Sequence, residues 1–482
     1  MTPAAPGRTP QHWARHWGLG VLLCAAALVY GANLGAYGML MWDEAEYASL
    51  ARSLARGEGF VGASGAEKLR PPLLPLFGAA AIALRGAADD RAVGWATVGL
   101  ALFALAIVYG ATAIAYDSAT AVLAAGLLAA APWFWSATAN FLSEIPLLAC
   151  FSGALFCWRF GLSRDPRWFY AAWLFAGLAL MTRYTALLLA PLFVVLAASS
   201  GRTALPRLTN RHAVLAPLLG LLVVAPWFVR QALVFGDPLV GVWRAGAQLQ
   251  TYLPGVSMPA TYYLSALPEM LSLVFAALLG GALIWVLWDR DRLALDCLLV
   301  LVFILVWFSV YRYKEDRLVS AMLPACAVLS AVFVTRGLLG GRRVPTALAL
   351  LLVGLLALVN APQQRVTFAL IRTLGYPSFL DAMAFVQQHS ALDGRLLGPN
   401  PPQIFWYGDR AVQSFPTDPA ELPARLAGVD WVVITNFERG QPGYLAELAA
   451  GLPPDAFTDG GAHRFADARN STVVVRPDRL LR

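Results

Sequence analysis

Long apolar runs, separated by short arginine-bearing loops, constrain this chain more than any single motif does. A run of about 20 apolar residues crosses the hydrocarbon core of a bilayer as a helix, because a helix satisfies its own backbone hydrogen bonds where no water can. About eleven such runs can be read. They lie near 18–40, 93–115, 119–135, 143–160, 168–182, 184–200, 213–232, 266–288, 293–311, 318–336 and 345–361. Composition agrees: of 482 residues, 59% are hydrophobic and only 13% charged, against about 25% charged in ordinary soluble domains. A soluble chain this apolar could not cover its surface with polar groups. The net charge of +7 comes from clusters between the runs, which is a topology signal and not the basic face of a nucleic-acid binder. No nucleic-acid partner is expected. The cysteines (Cys24, Cys150, Cys157, Cys297 and Cys326) all fall in the apolar runs, and no structural disulfide is expected.

Charge bias orients the runs. His12, Arg15 and His16 precede the first run (Gly18 to Leu40), which reads as an uncleaved signal anchor with a cytoplasmic N-terminus. The run from Pro71 to Leu84 is only about 14 residues long, short of the roughly 20 needed to cross, and opens with Pro71-Pro72. If it does not cross, four arginine clusters fall on the cytoplasmic side. These are Arg159, Arg164 and Arg167; Arg202, Arg207 and Arg211; Arg290 and Arg292; and Arg336, Arg342 and Arg343. The opposite parity exports all of them. The segment 71–84 is therefore read as a re-entrant or surface-lying helix on the outer face. The loops 41–92, 136–143, 233–265 and 312–317, and the tail, are extracytoplasmic on this reading. Residues 1–361 form a membrane domain. Residues 362–482 form a small soluble α/β domain, with a short helix at Pro419–Gly428 and strands at Val429–Thr435 and Ser471–Val475. The expected class is an α-helical polytopic membrane protein with outer-face juxtamembrane helices and a small extracytoplasmic α/β domain. The tail has no phosphate-binding glycine signature and no metal-ligand spacing.

Ionisable residues recur on the expected outer side. Asp43 and Glu44 open the first outer loop. After them Tyr47, Leu50, Ala51, Leu54 and Ala55 alternate at helical spacing with Ser49, Arg52, Ser53 and Arg56, which predicts an amphipathic helix in the membrane interface. Asp43 with Glu46 has the form of a capping box. It equally suits a general base acting on an acceptor hydroxyl, and spacing alone leaves both open. Lys68 and Arg70 precede Pro71-Pro72 and can contact lipid headgroups or a specific phosphate. Glu144 lies where an outer loop meets a span, either facing water or acting as a second acid. Arg183 lies between two short spans, against the charge rule, either snorkelling or binding phosphate. Lys314, Glu315, Asp316 and Arg317 form a charged outer turn. It is either a local salt-bridge cluster or a cationic clamp for charge developing on a leaving phosphate.

Together these residues resemble the GT-C superfamily of membrane glycosyltransferases, and most nearly its protein O-mannosyltransferase and bacterial aminoarabinose-transferase group. The resemblance runs from about Trp42 to Pro324. It rests on Asp43-Glu44, Arg70-Pro71-Pro72-Leu73, Glu144, Thr182-Arg183, Pro226-Trp227, Gly236-Asp237-Pro238-Leu239 and Arg317-Leu318. The last lacks the tyrosine of the family's Arg-Tyr step. Arginine also replaces the commoner lysine at two positions. The resemblance implies a fold of 11 to 13 spans with its active site outside, in the inner membrane of a bacterium. It implies an inverting displacement from a polyprenyl-phosphate sugar to a lipid, glycan or protein acceptor. Asp43 is then the base, with Glu44 and Glu144 as the other catalytic candidates. Lys68, Arg70, Arg183, Lys314 and Arg317 bind the donor phosphate. No metal or other cofactor is implied.

Three other classes fit part of the pattern. A lipid-linked glycan flippase or transporter should show paired or repeated bundles with ionisable groups at mid-membrane. A ligase with a lipid-diphosphate donor shares the cations but does not require the Asp-Glu pair. A scaffold would make the outer charges dispensable.

Overall fold

A computed structural model describes residues 16–32, 34–35, 38–251, 257–436 and 442–480. His12 and Arg15 lie outside the described residues. In chain order the helices of the first half are α1 (Trp17–Gly31), α2 (Trp42–Ala55), α3 (Leu73–Arg85), α4 (Asp90–Ala115), α5 (Ser118–Ala130), α6 (Pro132–Ala137), α7 (Glu144–Ser163), α8 (Trp168–Leu180), α9 (Leu189–Ser199), α10 (Leu205–Leu208) and α11 (Arg211–Phe235). There follow α12 (Val240–Thr251), α13 (Tyr262–Leu271), α14 (Leu273–Asp289), α15 (Arg292–Ser309), α16 (Leu323–Val332), α17 (Thr346–Leu374), α18 (Pro377–His389), α19 (Pro401–Gly408), α20 (Leu422–Arg425), α21 (Tyr444–Ala450), α22 (Pro454–Thr458) and α23 (Pro477–Leu480). Contacts divide the chain into two compact units. The first comprises residues 1–34, 68–74 and 94–368, and the second 35–67, 75–93 and 369–482. The second unit thus draws on the loop after α1 as well as on the tail.

The first unit is helical, and the chain is a multi-span membrane protein. Every apolar run read from the sequence carries a helix. Among the described residues, six helical segments are long and apolar enough to cross a bilayer: α4, α7, α11, α15, Asp316–Leu338 around α16, and Thr346–Leu370 of α17. The segments Tyr184–Ser199 and Gly201–Leu208, bent by 111°, make a seventh if counted as one span. The helices α1, α3, α5, α8 and α14 are apolar but have only 13 to 17 residues. At 1.5 Å per residue they reach roughly 20–26 Å, short of a core about 30 Å thick. Local chemistry trims them. Ala131 precedes Pro132 and is extended (φ −62°, ψ 127°), as the proline ring demands of its predecessor, so the run 119–135 is split into α5 and α6. The first run was expected to reach Leu40, but α1 ends at Gly31. The last was expected to end at 361, but α17 continues through Pro362 to Leu374.

Burial separates these helices by role. In the apolar window of α7, 94% of residues are buried, and in Asp316–Leu338 89%, against 22% in α11 and in α17. The first two are enclosed; the last two offer side chains such as Leu218, Leu222, Leu233, Leu358 and Val359 outward, as lipid-facing helices do. The helices α8 and α11 approach closely through glycine: a β-carbon on Gly177 would lie 3.0 Å from the Gly220 carbonyl oxygen. Small residues at such crossings replace the hydrophobic drive that lipid cannot supply.

The second unit holds a five-stranded sheet of order β4-β3-β5-β7-β6. Its strands are β3 (Arg395–Gly398), β4 (Ala411–Ser414), β5 (Trp431–Thr435), β6 (Ala462–Ala466) and β7 (Ser471–Val475), and a two-residue hairpin pairs β1 (Val61–Gly62) with β2 (Gly65–Ala66). The β3 strand is parallel to β4 and β5, while β7 is antiparallel to β5 and β6, with Val433 opposite Val474. Side chains alternate across the sheet. Leu396, Trp431, Val433 and Val474 pack with Phe379, Met383 and Ile404 of α18 and α19. Leu397, Val432, Ile434 and Val473 pack on the other face with Leu422, Leu426 and Leu445. The strands expected at 429–435 and 471–475 are present, and the short helix expected at 419–428 is a 3-10 turn leading into α20.

Candidate active site

In the first unit the site is built around Glu144. This residue opens α7, and its side chain is 3% exposed. Arg183 forms an ion pair with it from an extended position just before the 3-10 turn Tyr184–Leu188. Arg317, in the 3-10 segment Asp316–Met322, brings its Nη1 to 3.9 Å from the same carboxylate oxygen. It also pairs with Glu315, whose Oε1 accepts from the Tyr313 hydroxyl at 2.6 Å. The second Glu144 oxygen is buried with no hydrogen-bond partner. A buried carboxylate with two guanidinium groups holds those cations at fixed places, since attraction is strong where water is excluded. Lys314 is used differently: its buried ammonium donates to the carbonyls of Met258 and Tyr311 at 3.1 and 2.5 Å.

The segment carrying Lys68 and Arg70 is laced into the same unit. The Leu73 N–H donates to the Met181 carbonyl at 2.9 Å, two residues before Arg183. Gln231, fully buried on α11, donates to the Lys68 carbonyl at 3.0 Å. One turn earlier, Trp227 donates its indole N–H to the Tyr184 hydroxyl at 3.0 Å. The Lys68 ammonium lies 5.0 Å from the centre of the Phe235 ring, and Arg230 lies over both Trp227 and Phe235. Gly236, at φ +75°, ends α11 in the left-handed conformation that glycine adopts without penalty. Gly241 then passes so close that a β-carbon there would meet the Lys68 carbonyl and the Tyr184 hydroxyl. Trp227 and the chain after the Gly236 turn therefore serve to hold the Lys68–Leu73 segment. Sequence reading missed Gln231 and Arg230. A glutamine and an arginine in the last turns of an apolar helix were the available signal.

Asp43 and Glu44 belong to the second unit. The helix α2 begins at Trp42 with Met41 as its N-cap, and Glu44 accepts from the Met41 N–H at 3.4 Å. The capping box expected of Asp43 and Glu46 is thus displaced by two residues: Glu44 closes it, and Asp43 is the second helical residue. Asp43 is half-buried and Glu44 is buried. The helix does not lie with a free polar face as its amphipathic pattern suggested, because every residue from Glu44 to Ser53 is buried. Arg52 donates to the Phe405 and Trp406 carbonyls at 2.7 Å each and lies 3.2 Å from Asp409. Arg56 forks onto both Asp409 oxygens at 2.8 Å. Burial pulls the Arg52 guanidinium down to about 10, with the Asp409 charge opposing it. Burial alone would raise Asp409, but its Arg56 hydrogen bonds and the Arg52 charge carry it below the ordinary carboxylate value.

At the far end of α7, roughly 22 Å from Glu144 along the helix, Arg159 pairs with Asp296 of α15 at 2.9 Å. Arg336 pairs with Asp291 at 3.1 Å, and Tyr116 donates to Asp291 at 2.5 Å. Neither aspartate was singled out from the sequence, where each reads as part of a loop or span edge. Among the described residues, no three His, Cys, Asp or Glu side chains group as a metal-ligand set.

The fold is that of the GT-C glycosyltransferases, as the motifs implied. A family model described as dolichyl-phosphate-mannose-protein mannosyltransferase matches residues 69–229, about a third of the chain. ArnT from Cupriavidus metallidurans, solved with bound undecaprenyl phosphate, superposes with a TM-score of 0.74 at 16% identity, over 98% of this chain and 99% of that one. The oligosaccharyltransferase AglB from Archaeoglobus fulgidus gives 0.54 at 13% identity, over 87% of this chain and 69% of that one. The arabinofuranosyltransferase AftD from mycobacteria gives 0.55 at 14%, over 97% of this chain and 40% of that one. No curated protein matches.

Proposed function

We propose that this chain is an inverting glycosyltransferase that takes its sugar from a polyprenyl-phosphate carrier at the extracytoplasmic face of a bacterial inner membrane. The observation that carries this reading is the convergence of Arg183 and Arg317 on buried Glu144, beside the laced segment that bears Lys68 and Arg70. Two guanidinium groups, and the backbone that carries Lys68 and Arg70, are thereby held before any ligand arrives, as electrostatic stabilisation of a leaving phosphate requires. ArnT, which superposes over 98% of this chain, was solved with undecaprenyl phosphate.

In the proposed reaction the Asp43 carboxylate takes the proton of an acceptor hydroxyl or amine. The acceptor atom attacks the anomeric carbon, the bond from that carbon to the phosphate oxygen breaks, and the electron pair leaves with the phosphate. Arg70, Arg183 and Arg317 hold the released polyprenyl phosphate, and the anomeric configuration inverts. Glu144 keeps the two arginines in place, Glu44 caps the helix that bears Asp43, and Lys314 steadies the outer turn through its two carbonyls. The acceptor is a lipid, glycan or protein. The reaction is expected to need no metal ion, so transfer should persist in excess EDTA.

The test is transfer of radiolabel from undecaprenyl-phosphate-linked sugars in membranes holding wild type or Asp43→Asn. Label should reach an acceptor with wild type and fall by at least about 100-fold with the variant. Full transfer by Asp43→Asn removes the proposed base. No transfer by folded wild type from any monophosphate donor turns the assignment to a lipid-diphosphate donor.

A further inference from the structure

The helix that bears Asp43 is fastened by its other end. Nine residues along α2, about 13 Å, Arg52 is 3% exposed and directs both terminal nitrogens at the last turn of α19. The Phe405 carbonyl there also accepts the capping Asp409 N–H at 3.1 Å, the Trp406 carbonyl lies among the last four of the helix, and a cation at that end meets the negative pole of the helix dipole. The guanidinium lies 4.8 Å and 5.2 Å from the centres of the Phe405 and Trp406 rings. Asp409, the left-handed residue that ends α19, closes the arrangement by accepting the Arg56 fork. Two arginines one turn apart on α2 thus grip a single helix end. Lysine could not do this, because one ammonium cannot reach two carbonyls and a carboxylate in a plane.

The α/β domain has apolar cores of its own. The core that joins α19 to the sheet is apolar, with Ile404 packed against Val433, Leu396 and Phe379. The Arg52 hydrogen bonds go to the last turn of α19. On the other side of α2, the β1–β2 hairpin brings Gly62 against the Glu46 carboxylate so closely that a β-carbon there would collide with it.

Resting on the reading of Asp43 as the base, we propose that Arg52 is a positioning residue: it locks α2 to α19 of the C-terminal α/β domain, and that domain serves the reaction by holding the base helix still. An error of about 1 Å in a reacting group can cost on the order of 100-fold in rate, so a rigid mount for the base has kinetic value.

The test uses the full chain in nanodiscs, with the native cysteines replaced and a nitroxide spin label on Asp43→Cys. The label should be ordered in the Arg52 background, mobile with Arg52→Gln, and mobile with Asp409→Asn to a smaller degree. Hydrogen exchange in β3, β5 and β7 should stay at the wild-type level. A label whose spectrum is the same in all three backgrounds overturns the proposal. So does exchange that rises throughout the sheet, since Arg52 would then hold the domain together and not the helix. In the transfer assay with Asp43 restored, Arg52→Gln should lower kcat by about 100-fold with donor KM within about twofold, and Arg52→Lys should recover only part. Active Asp43→Asn would refute the base and leave the spin-label result standing. Inactive Asp43→Asn with unchanged kcat in Arg52→Gln would refute the positioning alone.

Discussion

Glu144 shows what a single buried carboxylate does in a membrane helix. It lies at the first turn of α7, where the helix dipole favours negative charge, and it answers two guanidinium groups at once. Removing the charge leaves Arg183 and Arg317 close together without their shared counterion, and breaking a buried pair typically costs about 3–5 kcal/mol. Glu144→Gln should therefore lower the melting temperature in detergent and weaken donor binding. Adding Arg317→Leu to that variant should partly restore the melting temperature, because it relieves the repulsion between the two guanidinium groups; no recovery would show that the two arginines do not share Glu144. Asp409 gives a pH prediction. Its folded value lies below that of a free carboxylate. A group so shifted contributes stability that is present above its unfolded value, near 3.9, and lost as pH falls through the folded value. The nitroxide at position 43 should stay ordered from pH 7 down to about 4 and loosen below it. Asp409→Asn should flatten that dependence, and a label that loosens equally in both would assign the change to another group.

At the scale of elements, the glycine turn after α11 decides where the basic segment lies. Gly241 admits the Lys68 carbonyl and the Tyr184 hydroxyl only because it has no side chain. Gly241→Ala should push the 68–73 segment off its seat, raising KM for the polyprenyl-phosphate donor several-fold while membrane insertion stays intact. Gly236→Ala, where only open space surrounds the missing side chain, should cost about 1 kcal/mol through backbone strain alone and leave that KM near wild type. Equal KM effects from the two would show that strain, and not the close approach, is what matters. The sequence signalled this region as motif residues, Pro226-Trp227 and Gly236 to Leu239, but not its purpose. That purpose depends on contacts between residues about 160 positions apart, such as Gln231 and Lys68. For the same reason the amphipathic pattern of α2 misled. Its polar stripe looked ready for water, whereas Arg52 and Arg56 are matched to carbonyls and a carboxylate more than 350 residues away in sequence. Periodicity reports which side of a helix differs, not what covers it. The short apolar strands β5 and β7, buried along nearly their whole length, were legible because their partners are apolar and any sheet core would serve.

For the whole molecule, the charge rule and the site make a joint prediction. The helix α7 carries Glu144 at one end and Arg159 near the other, and its length, about 30 Å, is the thickness of the hydrocarbon core. The arginines at the Arg159 end are held in a network of their own, with Asp296, Asp291 and Tyr116. They are thus part of the packing as well as a topology signal, which is why charge bias alone did not reveal the two aspartates. If the rule governs insertion here, that end is cytoplasmic and Glu144, Arg183 and Arg317 face outward. A cysteine placed at exposed Arg342, in a background lacking the native cysteines, should react with a membrane-impermeant maleimide only after cells are permeabilised. A cysteine at exposed Leu392, in the α/β domain, should react in intact spheroplasts. The reverse pattern would move the Glu144 cluster to the cytoplasmic side, where a nucleotide-linked sugar is as accessible as a lipid-linked one, and the case for a polyprenyl-phosphate donor would lose its topological support. Labelling of both positions in intact spheroplasts would mean that an even number of crossings separates 342 from 392, contrary to a single passage by α17. The shortness of α1, α5, α8 and α14 makes this measurement more decisive than counting spans, because the side on which a loop emerges depends on crossings actually made and not on helices long enough to make them.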